Sequence, residues 1–200
     1  SVWCWGNGLY GQIGNGADAA MTIPTRVLGL SDAIDVSAGG GDTQDPYGQG
    51  HTCAVRAGGE VLCWGSGSYG QLGSLETQAS NVPVSVPSVS DAVQVSAGGG
   101  HTCARTASGG VWCWGLNTQH QLGSTASTGE PTFVGEIGAL EVAAGGPLRV
   151  EGVSESFTCA LLNNGQVVCW GAGGAGQLGR EIASSATPLP VLLGVDVVDI

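Results

Sequence analysis

Hydrophobic residues occur along this chain in short runs, and glycine-rich segments separate the runs. In Val61-Leu62-Cys63-Trp64 every position is apolar, a pattern typical of a strand covered by other structure on both faces. Apolar spacings of three and four residues, which indicate amphipathic helices, are scarce. The pattern therefore predicts an all-β fold of short strands joined by turns that contain glycine.

Three sequence motifs recur along the chain in a fixed order. The first, Cys-Trp-Gly, begins at Cys4, Cys63, Cys113 and Cys169. The second, Gly-Gln-Leu-Gly or a close variant, begins at Gly11, Gly70, His120 and Gly176. The third, Ala-Gly-Gly before a Thr-Cys-Ala strand, begins at Ala38, Ala97 and Ala144. Self-similarity of this kind indicates a solenoid, a propeller or another repeat array.

The repeat length favours a β-propeller. Cys63 and Cys113 are separated by 50 residues, a length that suits a blade of several short strands. Leucine-rich solenoids, the main alternative, have repeats about half as long with regularly spaced leucines. We expect one repeat domain, residues 1–200, with units of approximately 1–50, 51–100, 101–156 and 157–200. The tryptophans that follow the motif cysteines are expected to pack between blades: Trp5, Trp64, Trp114 and Trp170.

Two segments carry a resemblance to a known family. HTCAVRAGGEVLCWGSGSYGQLG (51–73) and HTCARTASGGVWCWGLNTQHQLG (101–123) resemble the regulator of chromosome condensation repeat in its bacterial-type, cysteine-containing form. The resemblance implies blades of four antiparallel strands, usually seven to a closed ring. With about four units, this chain is expected to form an open or incomplete ring. The resemblance does not define an activity, because family members range from exchange factors to photoreceptors and inhibitors.

Six cysteines form three pairs with the same spacing. The members of each pair lie ten residues apart on either side of a glycine-containing turn: Cys53 and Cys63, Cys103 and Cys113, Cys159 and Cys169. A three-residue turn would place the two cysteines directly opposite each other, at a distance that suits a disulfide. The alternatives are buried thiols, or zinc bound with His51 and His101. Phe157 replaces the histidine in the third unit, which weakens the zinc hypothesis.

Cys4 has no partner at this spacing. By the repeat pattern its partner would lie in a Thr-Cys-Ala strand just before Ser1, so Cys4 is expected to be unpaired or intermolecular. One explanation is that the chain is part of a longer propeller. The other is that further copies of the chain complete the open blade edges and build a ring, a filament or a surface layer.

Charge and residue content exclude several functional classes. The chain has 5 basic residues, all arginine, against 16 acidic residues, a net charge of −11, which argues against binding to nucleic acid. No apolar run approaches the roughly 20 residues of a membrane span, so membrane insertion is not expected. Only three histidines are present, and two of them belong to the repeat. We therefore predict a protein that is not an enzyme and needs no cofactor or metal.

Two insertions are the candidate binding sites. Units one and three each contain nine additional residues between Ala-Gly-Gly and the Thr-Cys-Ala strand, at 42–50 and 148–156. Loops on a rigid scaffold are where binding residues are usually found. The predicted partner-binding residues are Asp42, Asp45, Tyr47, Gln49, Leu148, Arg149, Val150 and Glu151. The expected partner is a protein or a further copy of the chain. The disulfides predict a secreted or cell-surface location, and a secreted enzyme inhibitor is a further alternative.

Overall fold

A computed structural model describes residues 1–40, 50–74, 78–125, 129–146 and 155–191. These residues form strands and turns and contain no helix, which confirms the all-β prediction. The strands are β1 (Trp3–Gly6), β2 (Met21–Arg26), β3 (Ala33–Gly39), β4 (His51–Arg56), β5 (Val61–Ser66), β6 (Ala79–Ser85), β7 (Ala92–Ala97), β8 (His101–Thr106), β9 (Gly110–Gly115), β10 (Thr132–Glu136), β11 (Ala139–Gly145), β12 (Phe157–Leu162), β13 (Val167–Ala172) and β14 (Ser184–Pro190). A helix able to cross a membrane is accordingly not found in this part of the chain.

The strands form three four-stranded antiparallel sheets and one two-stranded sheet. The complete sheets follow chain order, as β3–β6, β7–β10 and β11–β14, while β1 pairs with β2. By sequence, β1 and β2 correspond to the third and fourth strands of a complete sheet. The prediction of four-stranded blades is confirmed, and the described sheets do not close into a ring. The sheets and the predicted sequence units begin at different strands. The unit predicted to begin at residue 51 starts with β4, whereas the sheet that contains β4 starts one strand earlier, with β3.

Glycine turns set the register between the second and third strands of each sheet. In the turn from β4 to β5, Gly59 N donates to Arg56 O at 2.8 Å, and Arg56 N donates to Glu60 O at 2.9 Å. Gly59 has φ +80°, and a Cβ there would lie 2.7 Å from the Cα of Asp91. A three-residue loop that ends in a left-handed residue is a common hairpin connection. It brings Cys53 opposite Cys63.

The hydrophobic core lies between the sheets. In the sheet β3–β6, Val61 and Cys63 pack towards the following sheet, in a cluster that includes Trp114. The alternate residues Leu62 and Trp64 pack towards the two-stranded sheet. Because successive side chains of a strand point to opposite faces, each apolar strand contributes to two interfaces. The apolar runs without alternation are explained by this arrangement.

Polar side chains join the first strands of neighbouring sheets. Asp35 on β3 accepts a hydrogen bond from Val95 N of β7 at 2.7 Å. Gln94 on β7 accepts from Val142 N of β11 at 3.0 Å, and its side-chain amide donates to Val142 O at 3.2 Å. We call the first strand of each complete sheet its inner strand. Each inner strand is therefore held at a fixed position beside the inner strand of the next sheet.

Candidate functional site

A histidine–threonine hydrogen bond crosses the interface between the first two complete sheets. His51 Nε2 lies 2.7 Å from Thr102 Oγ1. The Thr102 hydroxyl donates to Gln71 O at 3.1 Å, and Trp114 Nε1 donates to the same oxygen at 2.9 Å. Since the single hydroxyl proton of Thr102 is used in this way, His51 must donate from Nε2. This assigns the tautomer of the histidine.

The next interface repeats the arrangement. His101 Nε2 lies 2.9 Å from Thr158 Oγ1, and that hydroxyl donates to Gln121 O at 2.9 Å. Burial lowers the pKa of His51 from 6.5 to about 3 and the pKa of His101 from 6.5 to about 4. Both imidazoles are therefore neutral near pH 7 and have their Nε2 protons committed to threonine. The geometry favours a structural role for them.

All three predicted disulfides are confirmed. The bonds join Cys53 to Cys63, Cys103 to Cys113, and Cys159 to Cys169. The Cα atoms of each pair are 4.1 Å apart, because the residues are direct cross-strand partners. A cysteine bonded to sulfur is not available as a thiolate ligand, so the zinc hypothesis for these pairs is wrong.

The tryptophan prediction is confirmed at three positions and wrong at one. Trp64, Trp114 and Trp170 are completely buried. Their indole N–H groups donate to main-chain oxygens in the connection between the last two strands of the preceding sheet, those of Gln12, Gln71 and Gln121. Trp5, which follows Cys4, is 63% exposed. The face of β1 that carries Trp5 has no preceding sheet in the described part of the chain. Burial at this position thus depends on a neighbour that the motif itself does not encode.

Both insertions connect the first strand of a sheet to its second. Gly50 O accepts from Ser66 N, and Ser156 O accepts from Ala172 N, as Gly100 O accepts from Leu116 N in the sheet without an insertion. By these equivalent bonds the insertions are residues 41–49 and 147–155. Each begins one residue earlier than the ranges 42–50 and 148–156 that the sequence predicts. The candidate binding residues all lie outside the described residues: Asp42, Asp45, Tyr47, Gln49, Leu148, Arg149, Val150 and Glu151.

A cleft of about 530 Å³ lies beside β1. It is bounded by β1, by the inner strand β3 and by the start of β4, with Cys4, Val36 and Thr52 among its lining residues. Cys4 is half-buried and forms no disulfide within the described chain. Burial raises the pKa of the Cys4 thiol. That Cys4 is unpaired or intermolecular stays a prediction.

His120 adopts a backbone conformation that normally requires glycine. Its φ is +66°, close to the values of +83°, +77° and +86° at Gly11, Gly70 and Gly176, the corresponding turn positions. The side chain is half-buried. The signal in the sequence was the replacement of glycine within an otherwise regular motif.

Comparison with protein families matches most of this chain to one repeat. A family model described as the regulator of chromosome condensation (RCC1) repeat matches residues 1–43 and 58–105. A second model with the same description matches residues 92–121 and 152–177. Together the two models cover more than half of the chain. These matches overlap the two segments that carry the resemblance, at residues 58–73 and 101–121.

Among curated proteins, human E3 ubiquitin-protein ligase HERC2 is 36% identical over 92 residues, which are 45% of this chain and 2% of that protein. The X-linked retinitis pigmentosa GTPase regulator homolog of Caenorhabditis elegans is 40% identical over 75 residues, 36% of this chain and 5% of that protein. This chain thus matches only a small part of the length of these relatives.

Two solved structures share the fold. The first, yeast RCC1 (Prp20) in complex with Kap60, has a TM-score of 0.73 at 19% identity, and the match covers 96% of this chain and 44% of the other. The second, human WBSCR16, has a TM-score of 0.60 at 21% identity, with 100% and 64% covered. At these identities the likeness concerns the β-propeller fold alone.

Proposed function

Because this chain belongs to the regulator of chromosome condensation repeat family, we propose that it is a non-enzymatic protein-interaction module of an extracellular or cell-surface compartment. The observation that carries the proposal is the combination of three cross-strand disulfides with two insertions at equivalent positions. The disulfides support the extracellular or cell-surface location, and the insertions support the position of the partner-binding face.

The disulfides support an oxidising environment. Disulfides persist in secreted and cell-surface proteins and are rare in the cytosol of most cells. Mass spectrometry of the natively produced protein, alkylated before and after reduction, tests this. We expect six cysteines to become accessible to alkylation only after reduction. Six cysteines that alkylate without reduction in the native protein would contradict the proposed location.

The insertions support a protein partner. They join the first and second strands of their sheets, so their attachment points are equivalent in the two sheets. Yeast RCC1, which shares the fold, has been solved with a bound protein, Kap60. The histidines His51 and His101 are committed to sheet interfaces, which favours binding over acid–base catalysis.

Site-specific photo-crosslinking tests the binding face. A benzoylphenylalanine is placed at Tyr47, at Val150 or at the control position Ile23. Ile23 lies on β2, the last strand of the two-stranded sheet, and is 68% exposed. The expected result is that Tyr47 and Val150 crosslink to the same extracellular protein and Ile23 does not. A captured enzyme whose activity falls would point to the inhibitor alternative. Identical crosslinks from all three positions, or none from either insertion, would reject the insertions as the binding face.

A second candidate function is a self-assembling structural subunit. The observation in its favour is the exposed face of β1, where Trp3 and Trp5 are 52% and 63% exposed, while the tryptophans that correspond to Trp5 are buried, namely Trp64, Trp114 and Trp170. Light scattering separates this function from the first. A monomer at micromolar concentration rejects self-assembly, whereas a ring or filament supports it.

A further inference from the structure

We infer that an aromatic pair and a carboxylate on the sheet β7–β10 form a binding site for an arginine side chain of a protein partner. The site consists of Trp112, Phe133 and Glu136, and we call it the aromatic–carboxylate site. It adds a second contact surface to the proposed interaction module, and it does not depend on partner binding by the insertions.

Two aromatic rings lie together on one face of this sheet. Trp112 on β9 and Phe133 on β10 are direct cross-strand partners. Their ring centroids are 4.9 Å apart, and the ring planes are inclined at 41° to each other. Phe133 is 44% exposed, while Trp112 is half-buried. The pair therefore presents an aromatic surface to solvent on a sheet that fixes its position.

The rings lie at the interface between two complete sheets. Trp112 packs against the hydrophobic cluster between the sheets β3–β6 and β7–β10. Both of these sheets have four strands. The exposure of Phe133 is therefore a property of this interface and does not arise from an absent neighbour.

The repeat does not require aromatic residues at these two positions. The corresponding cross-strand pairs of the other complete sheets are Leu62 with Ser85 and Val168 with Pro190. Leu62 and Val168 are 9% and 6% exposed, so an aliphatic side chain is enough to fill the interface at the position of Trp112. An exposed aromatic pair where the fold accepts smaller residues favours a role in recognition.

A β-bulge brings a carboxylate to the same face as the rings. Phe133 pairs with Trp112 and Glu136 pairs with Gly110, and the register shifts between Phe133 and Gly135. Residues two apart on a strand point to the same face, so the partners of Trp112 and Gly110 share a face. Phe133 and Glu136 are three residues apart, and without the extra residue of the bulge their side chains would point to opposite faces.

Gly110 leaves room for the Glu136 carboxylate. A Cβ on Gly110 would lie 2.8 Å from Glu136 Oε1. The Ser108 hydroxyl donates to the same oxygen at 3.3 Å, and Glu136 is exposed. The ion pairs of the described residues involve Arg56 and not Glu136. The carboxylate is thus positioned beside the aromatic pair, and no arginine of the described chain occupies it.

This combination suits a flat cation. The faces of aromatic rings attract cations, and a carboxylate adds direct charge attraction. Along the strand Phe133 and Glu136 are separated by roughly 7 Å, the rise of two residues on β9, which one arginine side chain can span. A guanidinium stacks on an aromatic ring and donates two parallel hydrogen bonds to a carboxylate, whereas an ammonium group lacks this planar fork. The chemistry therefore favours arginine over lysine.

Charge favours a different protein over a second copy as the partner. The chain has 5 basic residues against 16 acidic residues, a net charge of −11, so two copies repel each other. The same charge attracts a segment that carries arginine. The occupant is therefore an arginine on an exposed segment of another protein.

A short peptide tests the site. The probe, acetyl-Ala-Arg-Ala-amide, is titrated into the ¹⁵N-labelled protein, and NMR follows the backbone amides and the indole N–H of Trp112. The matched ligand carries citrulline, a neutral analogue of arginine with nearly the same shape. We expect the arginine peptide to bind at least about fivefold more tightly, roughly 1 kcal/mol, and to shift the signals of Trp112, Phe133 and Glu136.

Three variants of the protein then locate the interaction. Glu136→Gln and Phe133→Ser should each weaken binding of the arginine peptide at least about threefold. Serine occupies the corresponding position in the sheet β3–β6, so the fold accepts it. Glu130→Gln is the matched control, because it removes an equal charge from an exposed residue just before β10. It should change the affinity by less than about 1.5-fold, since solvent and salt screen a charge outside the contact.

Equal affinities for the two peptides, or equal losses in Glu136→Gln and Glu130→Gln, would show general attraction to an acidic surface and overturn the inference. Tighter binding of the corresponding lysine peptide would overturn the preference for a guanidinium. Unchanged binding by folded Phe133→Ser would exclude the rings, and if this variant does not fold, the two glutamate variants decide.

Concentration-dependent shifts of the Trp112 and Phe133 signals without peptide would overturn the inference in favour of a second copy. Because Tyr47 and Val150 are unchanged in these experiments, a negative result leaves the proposed binding face untouched. Failure of the crosslinks at the insertions would likewise not affect peptide binding at Glu136.

Discussion

The Nε2 atom of His51 donates a hydrogen bond to Thr102 Oγ1 across the interface between two sheets, at 2.7 Å. His101 and Thr158 make the same contact at the next interface. Burial lowers the pKa of both histidines below the ordinary 6.5, to about 3 and about 4. As the pH falls below 6.5, the two histidines therefore bind protons in the unfolded chain but remain neutral in the folded chain until a lower pH is reached.

This difference predicts a pH dependence of stability. The contribution of a neutral His101 is complete above pH 6.5 and is lost as the pH falls towards about 4, at up to about 1.4 kcal/mol per pH unit. Asp32 acts in a separate range. The hydrogen bond from Arg56 holds the pKa of Asp32 below its ordinary value of 3.8, so its stabilisation is present above pH 3.8 and lost only at lower pH.

The variant His101→Phe tests this prediction, because Phe157 occupies the same position in the third sheet. We expect urea unfolding between pH 6.5 and 4.5 to show a flatter pH dependence in the variant, by up to about 1.4 kcal/mol per unit. The comparison uses the slope, so a constant loss from the missing hydrogen bond does not affect it. Parallel slopes for the two proteins would contradict a neutral, buried His101.

The disulfides are expected to contribute measurably to stability. Replacing both Cys103 and Cys113 by alanine should lower the free energy of unfolding by about 2 to 3 kcal/mol, because the unfolded chain gains conformational entropy. Cys4→Ala, which removes a half-buried thiol without a disulfide in the described chain, should cost less than about 1 kcal/mol. Equal losses in the two variants would show that burial of sulfur, and not the cross-link, is responsible.

Adjacent glycines in one turn provide a matched test of backbone geometry. Gly59 has φ +80° and its absent Cβ would lie 2.7 Å from the main chain of Asp91, whereas a Cβ on Gly58 would meet no atom within 4 Å. Gly59→Ala should lower stability by about 1 to 3 kcal/mol, and Gly58→Ala should change it by less than about 1 kcal/mol. Thermal unfolding of both variants makes the comparison, and a similar Tm for the two would refute the assigned turn.

The turn at His120 is expected to tolerate glycine better than its natural residue. With φ +66°, a residue that has a Cβ is strained by about 1 kcal/mol. His120→Gly should therefore raise the free energy of unfolding by about 0.5 to 1 kcal/mol, while His120→Ala, which retains the Cβ, should not. A loss of stability in the glycine variant would mean that the imidazole makes contacts worth more than the strain.

Much of the local structure follows from the sequence. The ten-residue spacing around a glycine turn is enough to predict that Cys53 faces Cys63, because hairpin geometry determines which residues are opposite. The repeat of about 50 residues likewise predicts four-stranded blades through the family resemblance. The insertions are visible as extra residues, although the hydrogen bonds of Gly50 and Ser156 were needed to locate their boundaries.

What the sequence alone determined is therefore the set of strands, the turns between them and the pairing of neighbouring cysteines, all of which depend on residues close together in the chain. Only the tertiary structure decided which residues meet across the sheet interfaces. Trp5 and Trp64 occupy the same motif, yet one is exposed and the other buried, and Thr52 and Cys4 border one cleft. The physical reason is that burial and contact between sheets depend on which neighbouring sheet is present, and the local sequence does not specify that sheet.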